Sequence, residues 1–470
     1  MSGLPTGEGK VDPALRRLGW VLVLGGIAPA LDTTIVNVAL QTLGRAMHAS
    51  VTTTQWTLTG YLLAMGIAMP VSTWATRQFG GKRLWLFSLA LFVASSALSG
   101  AAWNMTSLIC FRVLQGVAAG LLMPLIITLL VQAAGPQRLG RLMAIVSLPI
   151  VVVPILGPVI GGLVVNDLGW RWIFYVNVPI CLAAIVLAWR LVPPSVPRQQ
   201  SNYFDLVGLL LLSPGLALVI DGFSQATGRH GLLTTATLIP LLIGAALVGG
   251  FAWHGTHTQK TPLVNLRVFR TRSFSASACV FLLAGLSLYG PMLLLALYYQ
   301  QVQGKSVLFT GLLLAPQGIG SLVPRTIAGK LTDRIGARPV VVVGLLLTAV
   351  GTLAFALAGR NPDDWWLAAS LLVRGAGLAS ATIAVMAGAF RDVPKDQVPD
   401  ASTTMRIVQQ VGGSLGATVL AVILAGQLAS AATTRVTAFD VAFWWAIGFS
   451  LLALLPALFL PTLVRRRRAV

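Results

Sequence analysis

The sequence predicts an all-α membrane protein that crosses the bilayer about fourteen times. Three observations carry this expectation. Of the 470 residues, 56% are hydrophobic and only 10% charged, against about a quarter charged in soluble domains. The apolar residues gather in runs of about 20, the length that spans a 30 Å hydrocarbon core at 1.5 Å per residue. The charges fall in the short connectors between those runs, so a formal charge of +20 reads as basic loops at a membrane surface. It does not read as a nucleic-acid groove, and a soluble nucleic-acid binder is excluded.

Taken in order, the first-half apolar segments are Leu18 to Leu40, Trp56 to Ala75, Leu84 to Trp103, Leu108 to Val131, Leu142 to Val165, Trp172 to Val192 and Leu206 to Gln225. The second seven are Leu232 to Trp253, Phe274 to Tyr299, Phe309 to Ala328, Val340 to Leu357, Trp365 to Phe390, Ser402 to Ala425 and Val441 to Leu463. The first run follows Lys10, Arg16 and Arg17 as a signal peptide would, but it is too long, contains Asp32 and precedes many more spans. It is read as a permanent helix.

Orientation follows from the positive-inside bias. With the N-terminus inside, 24 of the 33 basic residues lie on the cytoplasmic side and 6 outside, with Arg112, Arg374 and Arg406 within helices. Both termini are therefore expected in the cytoplasm and the chain in the cytoplasmic (inner) membrane.

The halves repeat a pattern: Gly80 in a basic loop followed by Arg112 beside glycines is echoed by Gly336 followed by Arg374. Two six-helix bundles with an inserted helix pair account for this. The expected divisions are a cytoplasmic tail at 1–17, a bundle at 18–198, the pair at 199–258, a second bundle at 259–464 and a basic tail at 465–470.

Glu8 is the only glutamate, so a membrane-embedded acid has to be an aspartate, and Asp32 is the leading candidate. A carboxylate near a helix centre costs roughly 2.5–3.5 kcal/mol even on the lenient insertion scale, so it needs a partner and a reason. Arg112 enters from the outer side at a matching depth, by a count of about 1.5 Å per residue. Burial and a guanidinium act on a carboxyl in opposite directions, so small movements of Arg112 would load or release a proton at Asp32. The alternative is a static bridge that fixes helix packing.

Gln115, on the Arg112 helix, reads as polar lining, with ordinary packing as the other reading. Trp56, Tyr61, Tyr289, Tyr298 and Tyr299 are candidate cavity aromatics, although aromatics also belong at membrane interfaces. Arg374 and Arg406 would meet a polar or anionic substrate. The fifth segment carries Pro149, Pro154, Gly157, Pro158, Gly161 and Gly162, a hinge or seal between halves, or else a fixed kink. The loop with Asp333, Arg334, Gly336 and Arg338 is a candidate gating charge network or a positive-inside anchor.

Several motifs together resemble one family, the fourteen-helix drug:proton antiporters of the major facilitator superfamily. Asp32-Thr-Thr-Ile-Val-Asn37 resembles its first-helix signature, and Gln55-Trp56 through Tyr61 its second. Arg112-Val-Leu-Gln115-Gly116 is similar to the basic proton-coupling motif, and Gly157-Pro158-Val-Ile-Gly161-Gly162 to the antiporter motif. Trp170-Arg171-Trp172 through Asn177 to Pro179, Tyr299-Gln300 to Gly304, Gly311, Pro316, and Arg406 with Gly412, Gly413 and Gly416 continue the match. Departures are Gln41 where proline is common, Arg77 where the first loop motif has an acid, and Val153 in place of a glycine.

The resemblance implies the major facilitator fold, a proton-coupling role for Asp32 and Arg112, Asn37 as a cavity residue, and export. The function expected is proton-coupled antiport of hydrophobic or amphipathic small molecules by alternating access. Alternatives are an exporter of an endogenous lipid or metabolite, a proton-linked importer, or a membrane sensor. A monomer working with lipid, protons and a small-molecule substrate is expected, with no organic cofactor.

No enzyme constellation is legible. Cys110, Cys181 and Cys279 lie singly in apolar runs, and His254 with His257 supplies only two potential metal ligands, so no metal is expected.

Overall fold

The computed structural model describes residues 13–134, 156–194, 204–225, 234–258, 262–322, 324–359, 362–391, 393, 398–430 and 433–460. Helices dominate. In order they are α1 (Pro13–Ala46), α2 (Val51–Phe79), α3 (Gly81–Gly100), α4 (Met105–Ala134), α5 (Leu156–Asp167), α6 (Trp172–Tyr175 and Asn177–Leu191), α7 (Leu206–Gln225) and α8 (Thr235–His257). A 3-10 turn at Leu266–Arg270 leads into α9 (Arg272–Gln301). There follow α10 (Val307–Leu322 and Pro324–Ile335), α11 (Ala337–Ala356), α12 (Asp364–Ala389), α13 (Val398–Ala429) and α14 (Arg435–Leu452, extended by Leu454–Ala457).

Local chemistry sets the boundaries. Ser50 caps α2 by accepting from the Thr53 amide at 3.1 Å, and Thr434 and Asp363 cap α14 and α12 in the same way. Gly80 and Gly336 hold φ of 84° and 93°, a region open to glycine, and each turns the chain straight from one helix into the next. The repeat read from sequence at these two loops is thus present in the backbone.

Twelve helices among the described residues are long and apolar enough to cross a membrane, where the sequence suggested fourteen segments. The two missing have different causes. The fifth segment falls largely outside the described residues, leaving Leu156–Asp167 as a short apolar helix. Helix α2 is 29 residues long, but its first turns hold Thr52, Thr53, Thr54, Gln55, Thr57 and Thr59, which lower its apolar content. Two of those residues have partners on another helix: Gln55 Nε2 donates to Thr418 Oγ1 of α13 at 3.3 Å, and Ser414 Oγ of α13 donates to the Thr59 carbonyl at 3.4 Å. Polar pairing between helices replaces the apolar surface that lipid would demand.

Helices α1 to α6 pack on one another, α9 to α14 do likewise, and α7 and α8 form a hairpin whose α7 touches both α2 and α13. The two sets meet at the end of the molecule that carries the α1–α2 turn. There one apolar cluster runs from Ile35, Val38 and Leu43 into Leu293, Leu297 and Phe439. Gln300 Nε2 reaches across to the Val38 carbonyl at 2.7 Å. Towards the opposite end the core divides into a cluster mainly of the first set, around Leu62, Trp85 and Leu122, and one of the second, around Phe274, Val341 and Val385.

Candidate functional site: a buried ion pair inside the first bundle

The site begins with Asp32 on α1 and Arg112 on α4, both side chains wholly removed from solvent. Arg112 Nη1 pairs with Asp32 Oδ2. The same Nη1 donates to Gln115 Oε1 at 2.7 Å, and Nε donates to the Thr57 carbonyl at 3.0 Å. Gln115 Nε2 in turn donates to Asp32 Oδ1 at 3.1 Å. Asn177 Nδ2 of α6 reaches the same Oδ1 at 3.2 Å, and both amides share Ser96 Oγ of α3 at 3.2 Å. Helices α4 and α6 thus reach the α1 carboxylate directly, and Ser96 of α3 and Thr57 of α2 extend the network to five helices.

The guanidinium lies over aromatic rings as well as being bonded. Its Cζ stands 4.2 Å from the centre of the Tyr61 ring and 5.7 Å from that of Phe174, an electrostatically favourable seat for a cation. Gly116 makes this seat reachable. A Cβ there would lie 3.0 Å from the Tyr61 Cα and closer still to its carbonyl oxygen, so α4 can approach α2 only because the residue after Gln115 has no side chain. Two polar atoms in the network are buried without a partner among the described residues, Arg112 Nη2 and Asn177 Oδ1. The network thus keeps one spare donor and one spare acceptor.

The remaining residues singled out in the sequence are distributed around this centre. Asn37 is buried and turns its amide back to the Thr33 carbonyl at 2.7 Å. Trp56 Nε1 reaches Ser224 of α7 at 3.4 Å. Tyr289 of α9 lies against Gly413 of α13, and Arg406 is exposed on α13. Tyr298 is buried among Tyr299, Phe355, Phe439 and Phe443, with its hydroxyl donating to the Gly359 carbonyl at 3.1 Å. That environment is a bundle core.

Arg374 on α12 repeats the setting of Arg112 without the acid. It is fully buried, donates to the Ser287 carbonyl at 2.6 Å and Thr352 Oγ1 at 3.2 Å, and pairs with Gln317 Oε1. All three partners are neutral.

Gly157, Pro158, Gly161 and Gly162 lie on α5, wedged between α1 and α10, while Pro154, with Pro149 and Val153, falls outside the described residues. A Cβ on Gly162 would stand 2.6 Å from Leu308 Cα, and one on Gly311 would clash with the Pro158 carbonyl. Arg334 is exposed and Arg338 half-buried, on either side of Gly336, and neither forms an ion pair among the described residues. Asp333 lies in the same helix, its side chain outside the description.

Sequence reasoning named Asp32, Arg112 and Gln115 but gave no role to Asn177 or Ser96. Asn177 was visible only as part of a motif, and Ser96 only as a serine on an apolar helix. A second cluster was missed altogether: Asp205, just before α7, accepts from the Gly208 and Leu263 amides and from His254 Nε2, each at 2.8 Å. His254 is thereby engaged, while His257 stacks on Trp253 with ring centres 5.0 Å apart.

Two helix sets around polar seams, with an ion pair buried in one, define a polytopic membrane transporter. The Major Facilitator Superfamily model matches residues 22–417, and the chain belongs to that family; it is a transporter and not an enzyme.

A multidrug resistance protein B homolog of Mycobacterium tuberculosis is 36% identical over 428 residues, which are 91% of this chain and 79% of that protein. The multidrug export protein EmrB of Haemophilus influenzae is 31% identical, covering 86% and 79%. Among solved structures, a D-xylose-proton symporter superposes with a TM-score of 0.68 at 16% identity, covering 95% of this chain and 98% of that one. A bacterial homolog of the lysosomal transporter Spinster, inward-facing, gives 0.68 at 14%, covering 96% and 98%. At those identities the structures speak to the fold alone.

Proposed function

We propose that the chain is a proton-coupled antiporter that exports amphipathic small molecules across the cytoplasmic membrane by alternating access. The observation that carries this reading is the Asp32–Arg112 pair, sealed from solvent in a hydrogen-bond network that spans five helices. A proton on Asp32 removes the charge that compensates Arg112. The guanidinium then keeps only the Thr57 carbonyl, the Gln115 oxygen and two aromatic faces, and breaking a buried pair is costly. The bundle escapes that cost by rearranging α1 against α4, which links proton uptake to a change of shape. A charge carried across the membrane field is worth about 2.3 kcal/mol per 100 mV, enough to drive uphill export.

Supporting the export direction are relatives named for multidrug resistance and export; the core is continuous at the turn end but divided at the other, a state that transport in either direction visits. With both termini cytoplasmic, as the basic loops favour, that is an inward-facing arrangement. Fourteen spans, with α2 and a longer α5 added to the twelve, two six-helix bundles at 18–198 and 259–464, and a monomer complete the proposal.

The deciding experiment is substrate-driven proton movement in proteoliposomes. Asp32→Asn is expected to abolish proton movement while substrate still binds. Unchanged coupling in that variant removes Asp32 from the mechanism.

A further inference from the structure

Where the two bundles close at the turn end, they leave a cavity of about 250 Å³ lined from both sides. Its walls are apolar at Leu40, Leu293 and Leu297, and polar at Gln41 and Gln55. Two arginines from opposite bundles also line it, Arg45 in the last turn of α1 and Arg435, the first residue of α14, and no acid does among the described residues. Arg45 forms no ion pair among the described residues. Arg435 spends one contact on the Gln301 carbonyl, Nη1 to O at 3.2 Å.

Both arginines are exposed and solvated, and their like charges add in the cleft they share. Two guanidinium groups face one cleft across a seam that must close, and Arg435 adds its charge to the positive end of α14. The polar seam beneath them, with Gln55 bonded to Thr418, supplies no anion. One negative group between the arginines would neutralise both and tie α1 to α14.

We propose that this cavity is a binding site for a small amphipathic anion. Its carboxylate- or phosphate-like head sits between Arg45 and Arg435, and its short apolar body lies on Leu40, Leu293 and Leu297. The volume falls below the roughly 300 Å³ lower bound for drug-sized pockets, so the body is a single ring system or a short chain. The anion acts as a clamp across the bundles at this end. The inference stands apart from proton coupling, because none of its residues belongs to the Asp32 network.

The test uses the full chain in phosphatidylcholine nanodiscs and follows 2-naphthoate by fluorescence anisotropy, with neutral 2-naphthamide beside it. Saturable binding is expected for the acid, at least about tenfold tighter than for the amide, and weakened at least about tenfold in Arg45→Gln and in Arg435→Gln. Arg45→Lys, which keeps the charge, should stay within a few-fold of the parent, showing that the loss in Arg45→Gln is not misfolding. Arg190→Gln, which alters an exposed arginine in the last turn of α6 and away from this cavity, should bind normally.

Equal binding of acid and amide overturns the proposal. So does loss in Arg190→Gln with retention in Arg45→Gln and Arg435→Gln. Repeating the titration in phosphatidylglycerol nanodiscs separates the sources of the anion. Weaker naphthoate binding in the parent but not in the glutamine variants assigns the site to a lipid headgroup, whereas no arginine-dependent change assigns it to a free molecule.

Discussion

A carboxylate cut off from bulk water has to find its solvation in the protein, and Asp32 finds it in Arg112, Gln115 and Asn177. The charge is compensated, yet the arrangement is poised, because Arg112 Nη2 and Asn177 Oδ1 have no partner among the described residues. Removing one member of such a pair strands the other. Arg112→Gln is therefore expected to lower stability by about 3–5 kcal/mol, read as a fall in the thermal unfolding midpoint in detergent. Adding Asp32→Asn should recover much of that loss, since the double variant carries no stranded charge, but proton coupling should not return. A static bridge behaves differently: the double variant would regain transport together with stability. The pair was legible in the sequence because a lone acid and a lone arginine in apolar helices each demand a partner. Asn177 and Ser96 were not, since a neutral side chain in a helix carries no comparable penalty to betray its contact.

Between helices, small residues decide how closely the bundles meet. At the crossing of α5 with α10, Gly162 faces the Leu308 backbone and Gly311 the Pro158 carbonyl. Overpacking a tight contact costs typically 1–3 kcal/mol, and here the cost falls only on the conformation in which the bundles touch. Gly311→Ala is therefore expected to open the turn end by about 5- to 150-fold in population. A cysteine at Thr418, buried in the polar seam, reports this as faster labelling by a membrane-impermeant maleimide; an unchanged rate would mean that α5 and α10 part without consequence. The crossing was half-legible. Glycine and proline density marked α5 as unusual, but the partner surface on α10 lies about 150 residues downstream, and nothing local in the sequence names it. Helix α2 shows the converse: its threonines made it a poor apolar span, while the structure spends that polarity on α13.

Over the whole molecule, the internal repeat and its breaking carry most of the functional argument. Gly80 and Gly336 share one backbone geometry, and Arg112 and Arg374 both donate to carbonyls of neighbouring helices, but among the described residues only the first pairs with an acid. In the proposed cycle, coupling concentrates in the first bundle, and the second follows through the contacts that fasten it to the first. Part of that fastening is the α7–α8 hairpin. Phe204, just before α7, packs on Trp74 of α2 with ring centres 4.7 Å apart. Asp205 beside it accepts from the Leu263 amide, in the segment that leads into α9.

The sequence offered no sign of this clasp, since Asp205 and Leu263 are far apart in the chain and His254 read only as one of two potential metal ligands. Burial acts to raise the Asp205 pKa, but the Leu263 and Gly208 amides and His254 outweigh it, and the carboxyl is held below its ordinary value. A carboxyl whose folded pKa is depressed contributes stability that is complete above its unfolded value and is lost as pH falls through the folded one. Asp205→Asn is accordingly expected to lower the unfolding midpoint at neutral pH by an amount equivalent to about 1–2 kcal/mol, the scale of a lost helix cap. That deficit should shrink once the parent is titrated below about pH 4, the ordinary carboxylate range. If the deficit were the same at both pH values, the clasp would be held by shape alone, and the charge on Asp205 would have no part in joining the hairpin to the second bundle.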